Sequence, residues 1–133
     1  LSLMLLETDM SDLDELIERI NGFAAERDWD QFHSPKNLSM ALIAEAAELV
    51  EHFQWITEEQ SYTLPDNTLA EVRLELADIF VYLLRMSDRL GVDLVQAAQQ
   101  KISLNEQKYP AEQVRGSSKK YHEYKAKGRD TWK

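Results

Sequence analysis

Two pairs of carboxylates, Glu45 with Glu48 and Glu75 with Asp78, stand three residues apart in stretches whose other residues have the apolar spacing of helices. Residues three and four apart share one side of a helix. Glu45 therefore falls among Leu38, Ala41, Leu42 and Leu49, with Glu48 one turn on. Glu75 lies on the stripe of Val72, Ile79 and Met86, with Asp78 at i+3 and Tyr82 close to its line. All four acids are expected to point inward. An ionised carboxylate in an apolar setting is costly unless it is paired, protonated or bound to a cation. Pairing does not suffice, because Arg73 and Arg85 fall to the side of the Glu75 face and the Glu45 stretch has no Lys or Arg after Lys36. A hard divalent cation answers the need. Oxygen-only ligands, without Cys and with no His in the repeated pattern, suit Mg²⁺ or Mn²⁺ rather than Zn²⁺. Solvated faces of surface helices are the alternative in a chain with 29% charged residues. The repetition of the pattern on the apolar side argues against it.

The helices that must carry these acids have readable ends. Ser11 with Asp14 has the form of a capping box, and Leu13, Leu16, Ile17, Ile20, Phe23 and Ala24 continue as a helix to about Arg27. Asp28 to His33 has no period and holds two aromatics and a His, more than a linker needs; a hydrophobic plug closing one end of a bundle is one reading. Ser34-Pro35 opens a second helix that is expected to run to about Trp55. Its Glu51 lies towards the outer edge, as a solvated residue or a peripheral ligand, and His52 reads as a hydrogen-bonded structural residue rather than a ligand. Glu58 to Asn67, with Pro65, reads as a loop. Thr68 with Glu71 is expected to cap the third helix, which stops near Gly91, and Asp93 to cap a fourth that ends before Pro110.

On this fourth helix Leu94, Ala97, Ala98 and Ile102 make the packing side, while Lys101, Asn105 and Lys108 form another stripe. That stripe suits contacts to phosphate and sugar, although an exposed amphipathic face has the same pattern. Beyond Pro110 the period is lost. Arg115-Gly116-Ser117-Ser118-Lys119-Lys120-Tyr121 combines flexible backbone, hydroxyls and cations in a way suited to wrapping phosphates; a solvated basic tail has the same composition. Disorder is expected beyond Lys125. Strand signals are weak throughout, so the expected fold is all-α, of four-helix bundle type.

With 133 residues the chain is one domain by length. It has no Cys, which excludes disulfides and thiolate sites and fits a reducing cytoplasm. The apolar start, Leu1 to Leu6, lacks a basic flank and is too short to span a bilayer, so a soluble protein without membrane association is expected. The net charge of −9 is uneven: residues 1–114 carry −14 and residues 115–133 carry +5. An acidic body argues against long nucleic acid as a partner, and a small basic patch argues for a small phosphate ligand. There is no Gly-rich phosphate loop and no Ser/His/Asp arrangement.

Taken together, Glu45-x-x-Glu48 and Glu75-x-x-Asp78 resemble the metal motif of the all-α nucleoside triphosphate pyrophosphohydrolases, the MazG-like group. Glu26-Arg27-Asp28-Trp29-x-Gln31-Phe32-His33-x-Pro35-x-Asn37-Leu38, then Phe53-Gln54-Trp55, Lys108-Tyr109-Pro110 and Arg115-Gly116-Ser117, are similar to its dCTP pyrophosphatase branch. The resemblance covers roughly residues 10–122. It departs from the broader family at Ala44, where a further acid often precedes Glu45, leaving four core ligands.

The resemblance implies a MazG-like domain over residues 1–125, a flexible tail over 126–133, and hydrolysis of a nucleoside triphosphate, foremost dCTP, between the α and β phosphates. It implies Mg²⁺, or Mn²⁺, held by Glu45, Glu48, Glu75 and Asp78, with Glu45 or Glu48 orienting or deprotonating water. Trp29, His33 and Trp55 would surround the base, Lys101 and Asn105 would contact phosphate or sugar, Tyr82 and Tyr109 would shape the pocket, and Arg115 belongs to the phosphate-wrapping segment. A cytoplasmic homo-oligomer, a tetramer in preference to a dimer, and a role in sanitation or control of the nucleotide pool go with it. A di-iron or di-manganese carboxylate bundle is the rival enzyme, but it needs Glu-x-x-His, which neither pair provides. A non-catalytic helical interaction module is the rival outside enzymology.

Overall fold

The computed structural model describes residues 10–118. Helix α1 (Asp12–Glu26) is opened by Ser11, whose hydroxyl accepts the Asp14 backbone N–H at 3.2 Å and donates to Asp14 Oδ2 at 2.8 Å. After α1 the chain reverses through Asp28, held in the left-handed region at φ 54, and a single 3₁₀ turn at Asp30–Phe32. Ser34 then caps α2 (Pro35–Glu51), accepting the Asn37 N–H at 3.1 Å, with proline at the first helical position where no N–H is needed.

Helix α2 ends at Glu51, short of the expected Trp55. The N–H groups of His52 and Phe53 bond to the carbonyls three residues back, Leu49 and Val50, so the helix closes in a tighter turn. The stretch expected as loop contains one helical turn, α3 (Glu58–Ser61), closed by a reciprocal capping box between Thr57 and Gln60. Helix α4 (Asp66–Arg89) begins before Thr68: Pro65 takes the N-cap position with no side-chain cap, and Thr68 falls inside the first turn. At its far end Gly91, at φ 67, lets the Val92 N–H reach the Ser87 carbonyl at 2.8 Å and its own N–H reach the Asp88 carbonyl at 3.1 Å. This is a Schellman closure, which favours glycine because an L side chain is strained at that φ.

Asp93 caps α5 (Leu94–Lys108) by accepting the Gln96 N–H at 3.0 Å, and Pro110 precedes the one-turn α6 (Ala111–Val114). No strand occurs among the described residues, so the protein is all-α, as expected. Among them no helix is long and apolar enough to cross a membrane.

The chain divides into two compact units between Val92 and Asp93. In the first, α2 and α1 both pack on α4, around the buried Ala24, Leu38, Val72 and Leu84. This core is small, and Ile43, Val50, Leu74 and Leu76 remain more than half exposed. The second unit carries α5 and α6. The Leu1–Leu6 start, the Lys119-Lys120-Tyr121 part of the basic segment and the 126–133 tail lie outside the described residues.

Candidate functional site

Packing α2 along α4 brings one carboxylate oxygen from each of Glu45, Glu48 and Glu75 within 4.8 Å of one another. In Glu45 and in Glu75 the Oε2 atom is buried and has no hydrogen-bond partner. Burial, then the neighbouring Glu48 carboxyl, then the charges of Asp78 and Glu75 push the Glu45 pKa up from 4.5 to about 7. Glu75 is raised by burial, Glu48 and Asp78, with His52 opposing. Three acids with two orphaned buried oxygens and an all-oxygen donor set fit a hard cation, which would supply the missing partner and lower the repulsion.

Asp78, the fourth expected ligand, is not part of this three-membered cluster. It and Glu48 are solvent-exposed, so the four acids do not all turn inward. One turn along α4 from Glu75, Asp78 lines an adjacent cavity of about 140 Å³ together with Phe23, Trp29, His33, Tyr82 and Arg85. This is well below the ~300 Å³ lower bound of ordinary small-molecule pockets. It has room for a flat ring rather than for a whole nucleotide. Trp29 meets Phe23 edge to face at 5.6 Å between ring centroids, and His33 at 6.1 Å. The Tyr82 phenol is pushed above its ordinary pKa by burial and by Glu45, Asp78 and Glu48, so it remains a hydroxyl donor at neutral pH.

Other expected residues stand elsewhere. Trp55 is 87% exposed and does not line the cavity, because α2 has unwound before reaching it. Glu51 is exposed and outside the cluster. His52 lies beside it, Nε2 3.8 Å from Glu75 Oε1 and Nδ1 3.7 Å from Glu71 Oε2, near enough for charge attraction when protonated but beyond hydrogen-bond length. In the second unit Lys101 and Asn105 are exposed on α5, Arg115 is exposed after α6, and Tyr109 is half-buried with Lys108 Nζ 5.8 Å from its ring centroid.

Two arginines whose role is not readable from the sequence hold the Asp28–His33 connection. Arg85, 4% exposed, reaches Asp30, Asn21 and His33 with its guanidinium. Arg89, one turn later, donates to the backbone carbonyls of His33 at 3.0 Å and Asp30 at 2.7 Å. Within the connection, Gln31 donates to the Asp28 carbonyl and carboxylate, and Asn37 to the Phe32 carbonyl. The i, i+4 arginine pair on one face of α4 was the available signal. The connection is therefore a braced wall of the cavity rather than only a plug.

The arrangement offers an acidic cluster with the donor set that a hard cation needs and, lined by Asp78 and Tyr82 beside it, a cavity of single-ring size. The sequence pattern of the MazG-like family matches residues 41–124. The chain is 46% identical over 110 residues to dCTP pyrophosphatase 1 of Mus musculus, covering 80% of this chain and 65% of that protein. It is 43% identical over 114 residues to dCTP pyrophosphatase 1 of Homo sapiens, covering 82% and 66%. The chain thus spans about two thirds of the length of these curated relatives. A crystal structure of a pyrophosphatase from Archaeoglobus fulgidus superposes with a TM-score of 0.73 at 32% identity, covering 79% of this chain and 98% of that one.

Proposed function

The chain belongs to the MazG-like family, and from that premise we propose that it is a Mg²⁺-dependent nucleoside triphosphate pyrophosphohydrolase whose preferred substrate is dCTP. The observation that carries this reading is the pair of buried, unpartnered oxygens of Glu45 and Glu75 next to an aromatic-lined cavity of single-ring size. The dCTP pyrophosphatase activity for which the mouse and human relatives are named supports the same reaction and base.

Glu45, Glu48 and Glu75, with Asp78 one turn along, would hold the metal, Mn²⁺ serving in place of Mg²⁺. Bound there, the ion supplies neutralisation of the triphosphate and polarisation of its phosphoryl oxygens. Glu45 or Glu48 orients a water for attack at the α-phosphorus and accepts its proton. The new bond joins the water oxygen to that phosphorus, the α–β bridge breaks, and the bridging oxygen leaves with pyrophosphate. Trp29 and His33 receive the base, for which aromatic faces offer stacking, and the Tyr82 hydroxyl donates at the boundary between base slot and acidic cluster. Lys101 and Asn105 have the polar chemistry for contacts to phosphate or sugar, Arg115 belongs to a segment suited to phosphates, and Tyr109 has the pocket-shaping role that the resemblance implies.

The half-exposed Ile43, Leu74 and Leu76, and the almost fully exposed Trp55, are apolar surface that a single chain leaves in water. They support a homo-oligomer in which Trp55 closes a base site, and we favour a tetramer over a dimer. A cytoplasmic role in keeping the nucleotide pool clean fits such an enzyme. Initial rates with a panel of dNTPs and NTPs test the proposal. Turnover fastest with dCTP is expected, and no turnover of any triphosphate with either Mg²⁺ or Mn²⁺ overturns it.

A further inference from the structure

Arg85 is the buried charge that the hydrolytic chemistry does not use, and its partners fix the protonation pattern of a neighbour. Nη1 donates to Asn21 Oδ1 at 2.6 Å, Nη2 to Asp30 Oδ1, and Nε to His33 Nδ1 at 3.2 Å. The orientation of Asn21 is itself set, since its Nδ2 donates to Asp88 Oδ2 at 2.9 Å and so leaves the carbonyl oxygen for Arg85. A guanidinium has donors only. His33 Nδ1 must therefore present a lone pair, and the proton of the neutral ring must sit on Nε2.

The ring is held on its backbone side as well, because Arg89 grips the His33 carbonyl at 3.0 Å. The charged groups facing it are Arg85, Arg89 and Asp30. Burial and the two arginines lower the His33 pKa, against the smaller opposing effect of Asp30, which favours the neutral ring at neutral pH. His33 lines the cavity of about 140 Å³. With Nδ1 occupied by Arg85, the nitrogen left for a ligand is Nε2, which has no hydrogen-bond partner among the described residues.

We infer that Arg85 is a positioning residue that locks His33 as the Nε2–H tautomer, so that the cavity presents a fixed donor to an acceptor, a ring nitrogen or carbonyl oxygen, on the heterocycle it binds. This rests on the cavity being the base site. It adds to stacking a polar criterion that stacking lacks: a ring that turns an N–H towards Nε2 meets donor against donor and is disfavoured.

The test reads the tautomer and the kinetics separately. In ¹⁵N-labelled protein without nucleotide, the long-range ¹H–¹⁵N spectrum is expected to show a pyridine-type Nδ1 and a pyrrole-type Nε2 for His33, assigned by their loss in His33→Gln. Averaged shifts from exchanging tautomers, or a proton on Nδ1, overturn the inference whatever the activity. Arg85→Lys keeps the charge but not the three-way fork. Provided its circular dichroism matches the parent, it should release the tautomer and raise KM for dCTP about tenfold, more than kcat falls. A raised KM with the tautomer unchanged contradicts the inference, as does a released tautomer with KM unchanged. Failure of the parent protein to turn over any triphosphate would instead remove the reading of the cavity as a base site, while the nucleotide-free spectrum still decides the tautomer.

Discussion

Glu45 on α2 and Glu75 on α4 bring carboxylate oxygens within 4.8 Å of one another, and in each residue Oε2 is buried without a hydrogen-bond partner. Without a cation this pairing opposes folding, since like charges and desolvation act together. Glu45→Gln is therefore expected to raise the Tm of the metal-free protein, to abolish the rise in Tm that Mg²⁺ or Mn²⁺ gives the parent, and to lower kcat/KM by about 100-fold or more. Differential scanning calorimetry with and without metal, beside a rate assay, checks all three. A variant that keeps the metal-induced rise would show that the cation binds elsewhere.

The same cluster sets a pH dependence of stability. Folding raises the Glu45 pKa from 4.5 to about 7, so the folded chain binds more protons than the unfolded chain between those values. That contribution is fully present below about 4.5 and is lost as pH rises through about 7. Glu75 moves in the same direction. His33, lowered from 6.5, acts oppositely, but only below 6.5. Between about pH 6.5 and about pH 8, then, the metal-free Tm is expected to fall, and Mg²⁺ to flatten the fall by taking the proton's place on the acids. A metal-free Tm that rises over this window would contradict the assignment.

Tyr82 lies between the two parts of the site, lining the ring-sized cavity while feeling the charges of Glu45, Asp78 and Glu48. With its pKa pushed above 10, the phenol acts as a donor throughout the working range. Tyr82→Phe removes that donor with little change of volume, and KM for the nucleotide is expected to rise roughly 3- to 10-fold, the worth of one hydrogen bond. Steady-state kinetics above and below neutral pH should show the same ratio, because the phenol does not titrate there.

How much of this was legible in the sequence depended on how local the determining contacts are. The caps Ser11, Ser34 and Asp93 and the Gly91 closure are settled within three to five residues, and each stands where the sequence puts it. The end of α2 is settled by a tightening of its last turn that periodicity does not register, so the helical spacing runs on to Trp55 while the helix ends at Glu51. The start of α4 follows Pro65 rather than the better-looking Thr68. Spacing brought Glu45, Glu48 and Glu75 to one place, yet it could not separate the buried oxygens of Glu45 and Glu75 from the exposed Glu48 and Asp78. The role of Arg85 is not legible in the sequence because its partners Asn21, Asp30 and His33 lie more than fifty residues away along the chain.

The exposed Trp55, Ile43 and Leu74 lead to a prediction about assembly. At 87%, 70% and 68% exposure they are apolar surface that an interface between chains would remove from water. Light scattering at micromolar concentration is expected to give a multiple of the chain mass, and Ile43→Asp to shift it towards one chain. A parent protein that runs as one chain would refute the homo-oligomer.

Cleavage between the α and β phosphates, at a site built on Glu45, Glu48 and Glu75, fixes both the products and the position of the oxygen that water supplies. Digestion of dCTP in ¹⁸O-water with Mg²⁺, followed by ³¹P NMR, tests it most directly. dCMP and pyrophosphate are expected, with the label on dCMP because water attacks the α-phosphorus. Deoxycytidine diphosphate with orthophosphate, or a label found only on pyrophosphate, would contradict it.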